Sequence, residues 1–230
     1  EAVRLAIVGH GPSMIGSGLG SEIDSFERIV RLKQGWALTR TNPSDFGERL
    51  DVLCSTLKTW RPYWKIPILE YWGYQNFPGQ DGALPKIREH FGAIPVQTAD
   101  AAVEHWLGVY RGLADVRGGW EKSSDGMAKE GDEPWLSTGM GALVMACALL
   151  KPNQITLFGF DNLVQGEREG FRNIIRPPGH VYPPHAWNIE SGMLSLIEAY
   201  YGVEIDSKPV GRFAPPGGRD EAGCAASAGG

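Results

Sequence analysis

Leu5-Ala-Ile-Val-Gly-His-Gly-Pro-Ser13 is the stretch that decides the fold. A short β-rich run ends in two glycines and a proline, which reads as a buried strand entering a tight turn. The same signal recurs along the chain. Strands are predicted over residues 3–8, 28–32, 50–55, 66–71, 153–158 and 203–206. Helical periodicity covers residues 81–91, 99–114, 137–150 and 185–201. In the second of these helices Ala102, Trp106, Val109, Tyr110 and Leu113 fall on one face. Strands alternating with helices imply an α/β fold, a Rossmann-like and mostly parallel sheet flanked by helices on both faces. Residues 116–135, rich in Gly, Asp, Glu, Lys and Ser, read as a surface loop or lid. Residues 209–230, rich in Pro, Gly and Ala, read as a flexible tail or linker, leaving residues 1–208 as one domain.

Size and composition narrow the function. The 230 residues, 42% hydrophobic and 21% charged, suit a single globular domain. A net charge of −5 argues against a nucleic-acid partner. The three cysteines, Cys54, Cys147 and Cys224, show no metal-ligand spacing. They point to a reducing, cytoplasmic setting, with Cys54 and Cys147 as core residues. No signal peptide is visible, and the longest strongly apolar run, residues 140–150, is too short to span a bilayer. Membrane-surface association is therefore left to other modules of a longer enzyme.

Three segments carry candidate chemistry. The turn Gly9-His10-Gly11-Pro12-Ser13 ends a strand, where doubly wound sheets bind ligands, and its glycines permit close backbone approach. Ser137-Thr138-Gly139 opens an apolar helix, with Ser137 or Thr138 as its N-cap. Its free N–H groups and partial positive charge suit a phosphate or carboxylate. The third segment, residues 172–190, gathers Arg172, Arg176, His180, Tyr182 and His185 in an otherwise acidic chain. Pro184 marks the start of the last long helix. His185 at the positive end of that helix is expected to stay neutral near pH 7, as a general base requires. Glu190, five residues on, points about 140° away from His185 on a helix. It is expected to brace a neighbouring loop in a supporting role.

In this order the segments resemble the sialyltransferase family. The residues 5–13 stretch, continued by Gly18-Leu-Gly-Ser-Glu-Ile-Asp24, Ile29-Val-Arg-Leu32 and Asp45-Phe-Gly-Glu-Arg49, looks like the long sialyl motif. Residues 137–160 resemble the short motif, His180-Val-Tyr182 the third, and His185-Ala-Trp-Asn-Ile-Glu190 the last. The middle of the chain is unmatched. Two positions depart from the family: His10 and Lys33 stand where it has asparagines. Both remain able to donate hydrogen bonds to a phosphate or sugar carboxylate. The family's animal members join the two motifs by a disulfide, at positions that are Leu5 and Leu150 here. Replacing both cysteines with apolar residues fits a bacterial- or plant-like branch.

The resemblance implies a single-domain, GT-A-like variant of the sialyltransferase fold. It also implies an inverting transfer of a keto-acid sugar, sialic acid or Kdo, from its CMP donor to a hydroxyl of a glycan acceptor. His185 would be the base, with His180 and Tyr182 on the departing phosphate. Gly9, His10, Gly11, Ser13, Lys33, Ser137, Thr138 and Gly139 would line the donor. No cofactor is expected, and no metal, since the chain contains no Asp-x-Asp to hold one. The aromatic run Trp60, Tyr63, Trp64, Tyr71, Trp72 and Tyr74 is either an acceptor platform or core. Two other readings compete. A dinucleotide-dependent oxidoreductase would use the glycine turn, but Met14 replaces the third glycine and no acidic residue ends the second strand. A non-catalytic module binding nucleotides or sugar acids is the other.

Overall fold

The computed structural model describes residues 3–57, 60–62, 66–75, 81–116, 136–161 and 187–208. Among the described residues seven strands form one sheet: β1 (Arg4–Val8), β2 (Arg28–Leu32), β3 (Val52–Thr56), β4 (Glu70–Tyr74), β5 (Val96–Gln97), β6 (Gln154–Phe158) and β7 (Glu204–Lys208). Their order is β5-β4-β3-β2-β1-β6-β7, and every pairing is parallel. Between them come α1 (Gly20–Asp24), α2 (Leu38–Thr41), α3 (Pro43–Phe46), α4 (Leu84–Phe91), α5 (Asp100–Val116), α6 (Thr138–Leu150) and α7 (Trp187–Tyr201).

Alternation along β1 sets the layers. Leu5 and Ile7 face one way, into a core built with Trp106 and Tyr110 of α5, most of α6, and Met193 and Leu194 of α7. Ala6 and Val8 face the other way, onto Met14, Ile23, Phe26 and Phe46. On that same side Leu53 and Tyr71 meet Ile87 and Phe91 of α4. α6 has no polar face among its first ten residues because it is sandwiched: Gly139 through Cys147 are all buried. Leu5 is fully buried and Leu150 packs at the core margin. Cys54 and Cys147 are buried and unbonded to each other, and burial pushes the Cys147 thiol up to about 12.

One strand is displaced from the sequence expectation. The fourth strand runs over Glu70–Tyr74 rather than residues 66–71. Ile66 and Ile68 are buried, but Pro67 has no N–H for a ladder, so the strand begins after them. The described part of the last helix is Trp187–Tyr201, and residue 185 lies outside the described residues.

The strand order creates one switch point. From β1 the chain adds β2, β3, β4 and β5 on one side, then crosses back to lay β6 and β7 on the other. α1, which follows β1, packs on the Ala6 face of the sheet and α7, which precedes β7, packs on the Leu5 face; doubly wound sheets bind ligands beyond the carboxyl ends of the strands at such a point. Gly9-His10-Gly11 follows β1 and Gly159-Phe160-Asp161 follows β6, so both segments sit there.

Candidate functional site

The turn after β1 is stitched to the turn after β6. The Gly9 amide donates to the Phe158 carbonyl (2.8 Å) and the Gly11 amide to the Gly159 carbonyl (2.9 Å). Ser13 donates its amide to Asp161 Oδ2 (2.9 Å) and its hydroxyl to Asp161 Oδ1. Met14 closes a 3-10 turn by donating to the Gly11 carbonyl (3.2 Å). The glycines make room for protein. A Cβ on Gly9 would lie 2.7 Å from the Gly159 carbonyl, and one on Gly11 2.4 Å from the Asp161 carboxylate. A phosphate laid on this turn would find the amides of Gly9, Gly11, Ser13 and Met14 already engaged, and Pro12 has none. This geometry disfavours a dinucleotide site, which needs such amides for its pyrophosphate.

His10 turns back to the neighbouring strand. Its Nε2 lies 2.8 Å from the Leu32 carbonyl. A carbonyl only accepts, so Nε2 carries the hydrogen and Nδ1 of the neutral ring is an acceptor. Burial pulls the imidazole down to about 4; the Leu32 bond opposes this and the Lys33 ammonium adds to it. The ring is therefore neutral at pH 7, with its one N–H engaged by β2. It fills the space where a Cβ on Gly35 would stand, 2.4 Å from Nε2. Lys33 itself adopts a left-handed backbone (φ 45°), uncommon outside glycine. It places a cation beside His10 at the end of β2.

The N-terminus of α6 lies against Phe160 and Tyr74, at the same end of the sheet. Ser137 is the N-cap and accepts the Met140 amide (3.1 Å) on its hydroxyl. Its carbonyl accepts from the Gly141 amide (2.9 Å) and from the Tyr74 hydroxyl (3.1 Å). Its own amide donates to Glu190 Oε1 (2.6 Å). Glu190 lies in the first turn of α7, with no exposed surface. Burial pushes its carboxyl up to about 7 against the bonds from Ser137, and Oε2 finds no partner among the described residues. Three elements far apart in sequence thus meet at Ser137: β4, α6 and α7. Beyond the cap, the amides of Thr138 and Gly139 lie in the first turn, where the helix offers no acceptor.

One ring joins the two halves. A Cβ on Gly139 would touch Phe160 Cε1 at 2.4 Å, and one on Gly9 would touch Phe160 Cδ2 at 3.3 Å. These carbons are opposite each other on the ring, so the front turn and the α6 N-terminus stand one phenyl ring apart. Beside them a groove runs from Ser13 past Ile15, Gly16 and Ser17 to Asp206 and Lys208.

The structure therefore brings Gly9, His10, Gly11, Ser13, Lys33, Ser137, Thr138, Gly139 and Glu190 to the carboxyl edge of the sheet. His180, Tyr182 and His185 lie outside the described residues, as do Arg172, Arg176, Tyr63, Trp64, residues 117–135 and the tail 209–230. The acceptor platform changes: Tyr71, Trp72 and Tyr74 are fully buried and cannot offer a face to a sugar. Sequence reasoning missed Phe160, Asp161 and the tethering role of Tyr74. Knowing that β6 neighbours β1 would have drawn attention to the first two, since they occupy the matching positions just past the strand.

No family model matches the sequence, and no curated protein matches it either. The fold has relatives among solved structures. A mammalian sialyltransferase in complex with Gal-beta-1-3GalNAc-ortho-nitrophenol shares 14% identity, with a TM-score of 0.53 over 89% of this chain and 69% of that one. A second crystal structure of a mammalian sialyltransferase gives 14%, 0.52, 89% and 68%. At this identity the likeness is one of fold: the seven-stranded parallel sheet with flanking helices is an architecture this chain shares with those enzymes.

Proposed function

We propose that this protein is a glycosyltransferase that moves a keto-acid sugar from a CMP donor to a hydroxyl of a glycan acceptor. The observation that carries the reading is the meeting of Gly9 and Gly139 across the Phe160 ring. Two segments 130 residues apart, each resembling a sialyl motif in sequence, meet at one ring in a fold that two sialyltransferase structures also have. The finer assignments rest on sequence. His185 precedes Trp187 by two residues, and α7 is anchored beside Ser137 through Glu190. That anchoring supports giving His185 the part of general base, removing the proton of the acceptor hydroxyl as it attacks the anomeric carbon. The phosphate leaves on the opposite face, with His180 and Tyr182 binding it and His180 returning a proton. The first-turn amides of Thr138 and Gly139 suit the donor's anionic group, and Lys33 adds positive charge nearby. Glu190 fixes the cap and the start of α7 together.

Sialic acid and Kdo both carry a carboxylate beside the anomeric carbon, so either fits this chemistry. The test is to supply CMP-sialic acid and CMP-Kdo separately, with glycan acceptors, and follow CMP release. Release from one donor is expected, lowered about a hundredfold or more by His185→Ala. No release from either donor would remove the reading, and near-normal turnover by the variant would remove His185 from its role.

A further inference from the structure

We propose that Asp161 makes the front turn a hydroxyl-binding site and thereby sets the orientation of the nucleotide; the proposal rests on the CMP-donor reading above. Asp161 follows β6 at the switch point, and its carboxylate stands 2.4 Å from where a Cβ on Gly11 would be. Only a glycine at position 11 lets it come so close. Both oxygens hold Ser13, Oδ2 through the amide (2.9 Å) and Oδ1 through the hydroxyl. An ionised carboxylate has about four lone-pair sites, so accepting capacity remains after Ser13 is bound. It has no donor to offer a phosphate, and its charge repels one. Around it the amides of Gly9, Gly11 and Met14 are held by carbonyls of the protein.

The front turn around Asp161 therefore presents acceptors in place of the amides of Gly9, Gly11, Ser13 and Met14, with the Lys33 cation at the end of β2 beside His10. The α6 side has the reverse character, with first-turn amides of a helix N-terminus lacking an intrahelical acceptor. A nucleoside monophosphate has one end of each kind. Its ribose hydroxyls donate to a carboxylate, and its phosphate accepts from amides. The two ends then lie on opposite sides of the Phe160 ring, ribose toward Asp161 and phosphate toward Thr138 and Gly139. An acidic residue on a ribose is the solution dinucleotide folds reach at the end of the second strand; here the carboxylate comes from the end of β6.

The experiment compares CMP with 2′-deoxy-CMP and 3′-deoxy-CMP by isothermal titration calorimetry, on the wild type and on Asp161→Asn. Asparagine keeps the size and one acceptor for Ser13 but removes the charge. The wild type is expected to bind CMP about tenfold or more tighter than at least one deoxy analogue, the scale of a hydrogen bond to a charged group. In Asp161→Asn that ratio is expected to fall below about threefold. A clamp serving only the fold would lower all three affinities together and leave the ratio unchanged, which overturns the proposal. Equal binding of CMP and both analogues by the wild type overturns it without any variant. Absence of CMP binding by the wild type removes the donor reading itself, a result distinct from binding without selectivity.

Discussion

At the residue scale the site is governed by small spaces and by one buried acid. Gly9 faces a backbone carbonyl that cannot move without dragging β6, because a Cβ there would sit 2.7 Å from the Gly159 oxygen. Gly9→Ala is expected to cost about 1–3 kcal/mol by overpacking, read by urea unfolding; an unchanged midpoint would deny the contact. Glu190 gives a pH signature. Its carboxyl is raised from 4.5 to about 7 in the folded protein. Between these values the native state binds more protons than the unfolded chain, so this group's contribution to stability falls as pH rises and reaches its full cost above about 7. Glu190→Gln keeps an acceptor for the Ser137 amide and does not titrate. Its stability relative to wild type is expected to rise between pH 5 and pH 8, by up to about 3 kcal/mol. Thermal melts at the two pH values check this, and a constant difference would contradict it. Residues of this kind were only partly legible. The sequence marked Gly9, Gly11 and Ser13 as special because glycine and serine in a post-strand turn are informative. It could not say that their neighbours would be Gly159 and Asp161, which lie some 150 positions away and arrive only through the sheet.

At the element scale, local pattern was a good guide where an element is long and buried. β1, β2, β6, α5 and α6 stand within two residues of their predicted bounds, since continuous apolar runs and one-faced periodicity reflect the packing each receives. The two-residue β5 has no periodicity to detect. β4 was displaced because its lead-in is apolar, and its aromatic residues became core instead of surface. β7, one of the two edge strands among the described residues, shows a further economy. Its outward amides at Ile205 and Ser207 are capped by Glu198 Oε1 (2.8 Å) and Asp206 Oδ1 (2.9 Å). An edge with capped donors resists pairing with another chain. Replacing Glu198 and Asp206 together by alanine is expected to promote self-association at high concentration, seen by light scattering. A variant that stays monomeric to the same degree as wild type would show that the caps do not protect the edge. At α6, Ser137→Ala removes the N-cap acceptor for the Met140 amide and is expected to cost about 1 kcal/mol.

At the scale of the whole molecule, the strand order turns separate motifs into one place. Sequence alone implied a parallel sheet but not which strands adjoin, because every buried parallel strand reads alike. The order β5-β4-β3-β2-β1-β6-β7 puts the front turn, Asp161 and the α6 N-terminus around a single switch point. Tyr74 and Glu190 then tie that N-terminus to β4 and α7. The central claim is that this one place holds a cytidylyl ester, and a crystal structure of the protein with CMP tests it most directly. The account predicts the nucleotide beside Phe160, its phosphate against the first turn of α6 and its ribose beside Asp161. CMP bound away from Phe160, or on the far side of the sheet from Ser137, would contradict it.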